Sequence, residues 1–387
     1  MASREVMQVD SSDFGHLRNA LEDALFRDGP AVFPTKAPKP GAFSEQIPTD
    51  AALIIESSGS TSRPKRIWHR VSSLLHAADQ SNDSLGPRGV WWNILPAHYI
   101  AGLMVLVRAL QSNSTVIASL STPALATELL RFDNAVSSDS PNSPRYVSLV
   151  PKQLEDLVDA AERDPTVNTA LQRFSRILVG GQFVPNDLLE RAHELGLTVT
   201  KTYGSAETAG GCVWDGKPLR DTVVDIHQGR VAVAGPMLAG GYLSDPERTA
   251  ASFHTWGGTR WFLSDDCGEL VDGRLSVTGR IDRTIISGGV KINLDEVENL
   301  LRQAYSDRVL AVVGVADRRW GEALAVMMST ATNRERLQRL LKKTFGPAAR
   351  VTGVYSVSPF PRLDSGKLDR VRLEKLASGA QNAGGDQ

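Results

Sequence analysis

Short apolar runs alternate with helical spacings over the first two hundred residues. Runs at 89–95, 146–150 and 176–179 predict strands, and apolar positions at helical spacing follow each of them, at 100–111, 153–161 and 186–195. Such alternation predicts α/β layers with parallel strands. From about residue 222 the pattern shifts to shorter strands with glycine turns, as where 225–229 leads into 230–234, which predicts a smaller β-rich lobe. Past Gly279-Arg280-Ile281-Asp282 the tail reads as a strand at 284–287, a helix at 294–304, strands at 309–315 and 323–328, and a basic helix at 333–345. The expected fold class is α/β. A large N-terminal domain (1–281) of layered α/β subdomains plus the β-rich lobe precedes a small, mobile α+β C-terminal domain (282–387). The Gly/Ala/Gln/Asn-rich end, 377–387, is expected to fray.

Composition narrows the function classes. The 43 basic and 44 acidic residues of the 387 nearly cancel, so no global field draws the chain to nucleic acid or to an anionic membrane. Small-molecule partners are expected. Cys212 and Cys267 are the only cysteines and have no metal-ligand spacing, which speaks against a disulfide framework or structural zinc and favours a reducing cytoplasm. The N-terminus lacks the apolar core of a signal peptide. The most apolar stretch, 94–110, contains Pro96, His98 and Arg108 and is too short to insert in a bilayer.

Several segments carry candidate chemistry. After the apolar run 51–55 comes Glu56-Ser57-Ser58-Gly59-Ser60-Thr61-Ser62-Arg63-Pro64-Lys65-Arg66, where N–H groups, hydroxyls and the Lys65 ammonium can surround a polyanion. Its spacing is neither that of the common phosphate-binding loop nor of the dinucleotide fingerprint. Tyr203-Gly204-Ser205-Ala206-Glu207-Thr208 is read as following a strand at 197–202 and offers a carboxylate for magnesium and a flat ring for a purine. In 261–268, Asp265 and Asp266 are read as turn residues able to accept from ribose hydroxyls. Arg280 is suited to ribose or phosphate, and Gly288-Gly289 lets a ligand lie against the main chain. Lys367 follows a glycine in Asp364-Ser365-Gly366-Lys367.

In this order, S-S-G-S-T-S-R-P-K, Y-G-S-A-E-T, G-R-I-D-R and S-G-K-L-D-R resemble the adenylate-forming superfamily of acyl- and aryl-CoA ligases, peptide-synthetase adenylation domains and luciferases, from about Ala51 to Arg370. Within it, L-P-A-H-Y-I-A-G-L, S-L-V-P-K-Q-L and Y-G-S-A-E-T-A-G-G look most like the o-succinylbenzoate-CoA ligases of menaquinone biosynthesis. The resemblance implies an ATP-dependent acid-thiol ligase that uses ATP, Mg2+ and CoA and makes an acyl-adenylate before the thioester. Other readings are another aryl- or acyl-CoA ligase, a stand-alone enzyme that loads a carrier protein, or a non-catalytic nucleotide-binding scaffold. A homodimer is left open.

Carried over by position, Ser57, Ser58, Gly59, Ser60, Thr61 and Lys65 would wrap the β- and γ-phosphates. Gly180, Gly181 and Gln182 would lie against adenine and the acyl pocket. Tyr203, with Gly204 and Ser205 beside it, would stack on adenine, and Glu207 would bind the metal. Asp266 and Arg280 would hold ribose, Asp282 would be the hinge, Lys367 the catalytic lysine, and Gly289 with Lys291 would meet pantetheine. His98 or Tyr99 would gate the acyl pocket. For the second carboxylate of o-succinylbenzoate, Arg108 and Lys152 are the cationic candidates. The chain departs from the resemblance at Ser62 and Arg66, where glycine is usual, at Ala206, where a hydroxyl is usual, and at Asp265, where glycine is usual.

Overall fold

A computed structural model describes residues 3–38, 43, 45–57, 65–119, 125–305, 308–330, 332–362 and 368–383. Two compact units emerge, one of 1–225, 232–263 and 270–275, the other of 226–231, 264–269 and 276–387.

The first unit holds a seven-stranded sheet in the order Lys217–Pro218, Gly210–Trp214, Val199–Ser205, Arg176–Gly180, Arg145–Leu149, Val90–Asn93, Thr115–Ala118. The last five are mutually parallel, as the alternating pattern predicts, and the first two turn back antiparallel. Strand Val90–Asn93 is buried at every position, so its two tryptophans serve opposite faces. Trp92 packs with Phe132, Leu154, Leu157, Val158 and Leu188 from the helices on one side. Trp91 packs with Val105 and Ala109 of helix Ile100–Ser112 and with Tyr146 and Leu178 on the other. Helix Pro151–Arg163 starts two residues before the expected 153 because proline suits a first helical turn, and its Leu154, Leu157, Val158 and Ala161 form the buried stripe.

A second sheet runs Val6–Asp10, Ala31–Thr35, Ala51–Ser57, Lys65–Arg70, Gly241–Tyr242. Strands Ala51–Ser57 and Lys65–Arg70 are antiparallel, with Ser57 opposite Lys65, so these two residues form the base of the hydroxyl-rich loop. No helix among the described residues is long and apolar enough to cross a membrane.

In the second unit, Leu310–Asp317 pairs antiparallel with Gly321–Met328, beside which Val351–Ser356 runs parallel. Alternation again splits the core. Val312, Val326 and Met328 face helices Leu294–Ala304 and Arg334–Phe345, whereas Ala311, Val313, Ala325 and Met327 face Leu373 and Ala377 of helix Arg370–Ala383. Asn293 and Asn333 cap the first two helices, each accepting two backbone N–H groups through its side-chain oxygen.

Three local expectations are corrected. The strand ahead of Ala206 is Val199–Ser205, so Tyr203, Gly204 and Ser205 lie inside it instead of following it. Asp265 and Asp266 sit in the unbroken strand Thr259–Val271, not in a turn. The expected fraying from 377 begins too early, since burial of Leu373 and Ala377 carries the helix to Ala383. Beyond Ala383, 384–387 lie outside the described residues.

Candidate active site

Glu207 sits in the single 3-10 turn Ala206–Thr208 and is 8% exposed. The turn is held from several directions. Its Ala206 carbonyl accepts from His69 Nε2 at 2.8 Å, and the Glu207 carbonyl accepts from the Ala239 N–H at 2.8 Å. Thr208 Oγ1 accepts from the Ser205 N–H at 2.9 Å and donates to the Gly210 carbonyl at 2.8 Å. Burial of the His69 ring, opposed by its bond to Ala206 and reinforced by nearby Arg70, lowers its pKa to about 4, so the imidazole is neutral and Nε2 carries the proton. The Glu207 carboxylate accepts from the Tyr242 hydroxyl at 2.8 Å. Among the described residues no lysine or arginine pairs with it.

Magnesium is commonly held by one or two carboxylates together with substrate phosphates and water. That donor set fits Glu207, a mostly buried carboxylate without a cationic partner, and no group of three or more His, Cys, Asp or Glu suited to a metal occurs among the described residues.

Lys65 opens strand Lys65–Arg70, and its Nζ lies 5.7 Å from the Tyr242 ring centroid. Ser57 is its cross-strand partner. Ser58, Gly59, Ser60 and Thr61 lie outside the described residues, as does Lys367. Arg66 is already engaged. Its guanidinium is paired with Glu45 and Glu56 and lies 5.6 Å from each of the Phe33 and Phe43 ring centroids.

Gly180 ends strand Arg176–Gly180, and Gly181 follows it with φ of 81°, a left-handed conformation. Gln182 Nε2 is buried without a partner among the described residues. On the neighbouring strand, a Cβ on Gly204 would fall 1.9 Å from the Gly210 carbonyl oxygen, so only glycine lets the two strands pair there. Tyr203 is half-buried beside it, and the buried Ser205 Oγ has no partner among the described residues.

Arg280 gathers three carboxylates. It donates to both oxygens of Asp282 (2.9 and 2.8 Å) and to Asp266 Oδ1 (3.3 Å), with Asp265 Oδ2 3.6 Å away. Its pKa is raised, chiefly by the Asp282 bonds against the cost of burial. Asp265 also pairs with Arg230 at 2.9 Å. The Arg280 N–H donates to Asp295 Oδ2 at 3.0 Å, which fastens the end of strand Arg274–Arg280 to helix Leu294–Ala304. Gly289 has φ of 83° in the tight connection to strand Val290–Asn293, which carries an exposed Lys291.

The acyl-side candidates separate clearly. Lys152 is exposed, and its ammonium is taken by Glu155 (3.0 Å) and Asp156 (2.9 Å) one turn along the same helix. Arg108 is 5% exposed, has no carboxylate partner among the described residues, and lies over the Trp91 ring at 5.7 Å. Its Nη2 is 4.0 Å from where a Cβ on Gly210 would stand, close to the Glu207 turn, and burial lowers its pKa to about 10. Histidine 98 accepts or donates at Nδ1 with Ser11 Oγ (3.0 Å), and its ring stands 4.3 Å from that of Tyr99.

A carboxylate in a pinned turn, a lysine facing Ser57 across two antiparallel strands and a glycine-lined strand end suit an enzyme that handles a nucleotide. The AMP-binding enzyme family matches residues 3–243, and the chain belongs to it. A probable 2-succinylbenzoate–CoA ligase of Mycobacterium tuberculosis is 34% identical over 87% of this chain and 87% of its own. The 2-succinylbenzoate–CoA ligase of Lactococcus lactis is 28% identical over 88% of this chain and 74% of its own. Among solved structures, o-succinylbenzoate CoA synthetase of Bacillus subtilis with its acyl-adenylate intermediate has a TM-score of 0.72 at 24% identity, covering 96% of this chain and 78% of that one. An amide bond synthetase from Marinactinospora thermotolerans also has a TM-score of 0.72, at 23% identity over 96% and 80%. These two likenesses establish a shared fold.

Reading the sequence missed Tyr242 and His69. Their contacts with Glu207 and Ala206 span 35 and 137 residues, so no local pattern announces them.

Proposed function

We propose that the chain is a cytoplasmic, ATP-dependent acid-thiol ligase that activates o-succinylbenzoate and passes the acyl group to CoA. The relatives named for that reaction support the chemistry. Arg108 carries the choice of acid. A buried cation with no counter-ion among the described residues is costly, and a ligand carboxylate would relieve that cost. o-Succinylbenzoate brings two carboxylates, one to be activated and one on the ring.

In the first step a substrate carboxylate oxygen attacks the α-phosphorus of ATP in line, forming the acyl–phosphate bond as the bond to pyrophosphate breaks. Both partners are anionic, so the barrier contains strong repulsion that cations must offset. Lys65 and Lys367 supply two charges. Glu207 would hold magnesium, which when bound adds positive charge at the phosphate oxygens. Asp266 and Arg280 would engage ribose, Tyr203 and the Gly180–Gln182 segment adenine. In the second step the CoA thiol attacks the acyl carbonyl and AMP leaves, with Gly289 and Lys291 beside pantetheine. We take 1–281 and 282–387 as the domains and Asp282 as the hinge that lets one site serve both steps. The balanced charge supports small-molecule partners without nucleic acid, and a homodimer is compatible with this reading.

Pyrophosphate release over a panel of carboxylic acids, with and without CoA, tests the proposal. Turnover of a different acid with none of o-succinylbenzoate would defeat it. Arg108→Met is expected to lower kcat/KM for o-succinylbenzoate about thirtyfold, the effect of losing about 2 kcal/mol from a buried charged pair. Turnover of 3-benzoylpropionate, which lacks the ring carboxylate, should hold or improve. Equal losses on both acids would remove Arg108 from the pocket.

A further inference from the structure

Tyr242 touches both charged groups assigned to the nucleotide. Its hydroxyl donates to Glu207 Oε1 at 2.8 Å while its ring faces the Lys65 ammonium, 5.7 Å from the centroid. It is 6% exposed, so the pair it makes with Glu207 is shielded from water.

The backbone fixes Tyr242 against the strand that begins at Lys65. Gly241 and Tyr242 pair with Trp68 and Ile67, the Gly240 N–H donates to the Trp68 carbonyl at 2.8 Å, and the Leu243 N–H donates to the Arg66 carbonyl at 2.8 Å. The approach requires glycine at 240, where a Cβ would fall 2.1 Å from the Trp68 ring. The Tyr242 N–H is held in turn by Thr249 Oγ1 at 2.9 Å. A tyrosine so anchored has little freedom to reorient, and neither has what it holds.

We propose that Tyr242 is a positioning residue for the nucleotide's metal and phosphates: its hydroxyl orients the Glu207 carboxylate, and its ring face seats the Lys65 ammonium. The hydrogen bond occupies Oε1 and leaves Oε2 to point toward a metal. Partners of this kind typically change metal affinity by about 10- to 100-fold when removed. The ring supplies a cation–π contact that limits where the ammonium rests. The proposal rests on the reading of Glu207 as metal ligand and Lys65 as phosphate ligand.

Two variants of the full chain separate the two roles. Tyr242→Phe keeps the ring and deletes the donor; Tyr242→Leu deletes both. The probe is Mn2+ with α,β-methylene-ATP, its binding read by electron paramagnetic resonance, alongside the KM for ATP at saturating Mg2+. The Phe variant is expected to bind Mn2+ about tenfold more weakly with an ATP KM within about twofold of the parent. The Leu variant is expected to show the same metal defect plus an ATP KM raised about threefold. Wild-type Mn2+ affinity in Tyr242→Phe overturns the proposal, and because only a hydroxyl is removed that variant suffices should the Leu chain fail to fold. Glu207→Gln serves as the control. If it too leaves Mn2+ affinity unchanged, the metal reading itself is wrong; if it abolishes binding while Tyr242→Phe does not, only the role of Tyr242 falls.

Discussion

Lys367→Ala is expected to suppress adenylate formation by about two to three orders of magnitude, the usual loss when a charge-stabilising donor is removed from a transition state. The first half-reaction brings a carboxylate onto a triphosphate, and each neutralised cation restores repulsion the site must otherwise overcome. The second half-reaction attacks a carbonyl and expels AMP, so on the proposed reading Lys367, needed to offset the charge of the triphosphate, has little to do there. Thioester formation from preformed acyl-adenylate should therefore change by less than about tenfold. The two rates are measured separately, as ATP–pyrophosphate exchange and as CoA consumption on synthetic adenylate. Equal loss of both would count against a reaction that uses one site in two arrangements.

Glu298→Gln should be the most damaging change to the second unit. Glu298 is 1% exposed and meets Arg370 through both oxygens (2.8 and 3.0 Å), Arg283 at 3.1 Å and also Arg302. It further accepts the Val312 N–H at 3.0 Å. Neutralising it leaves three guanidinium groups crowded around an amide, a loss of about 3–5 kcal/mol for a broken buried pair. The acid side of the stability curve gives an independent reading. Burial works against the Glu298 carboxylate, but Arg302, Arg370 and Arg283 outweigh it and hold the pKa at about 2 against an ordinary 4.5. A depressed folded-state pKa stabilises fully above the unfolded value, and the contribution is lost as pH falls from about 4.5 toward about 2. Urea unfolding of parent and variant should differ most near neutrality and converge as that window is crossed. A constant difference at all pH values would mean that the charge of Glu298 is not what stabilises.

Much of the architecture is legible in the residues because burial on both faces of a parallel sheet leaves short apolar runs, as at Val90-Trp91-Trp92 and Ile177-Leu178-Val179. Helix Leu294–Ala304 is legible to the residue, since Asn293 caps it and Leu294, Val297 and Leu301 recur at helical spacing. Asp265 and Asp266 mislead because aspartate is a turn former in isolation, yet here Arg230 pairs with Asp265, Arg280 faces both, and a long strand carries them. The choice between Arg108 and Lys152 is invisible in sequence for a different reason. Each is one cation on a helix, and only the carboxylates one turn from Lys152 hint that it is already satisfied. Tyr242 and His69 could not be read at all, because their roles exist only once distant strands meet.

The clamp on Arg66 bears on how this chain could be altered. Where the resemblance leads one to expect glycine, the guanidinium lies against Phe33 and Phe43 and answers the charges of Glu45 and Glu56. Arg66→Gly would strip those two acids of this counter-ion next to Lys65, which the proposed reading assigns to phosphate. On that reading, a change toward the family's glycine would leave two uncompensated carboxylates to repel the nucleotide, and a designer would need to neutralise both glutamates in the same stroke.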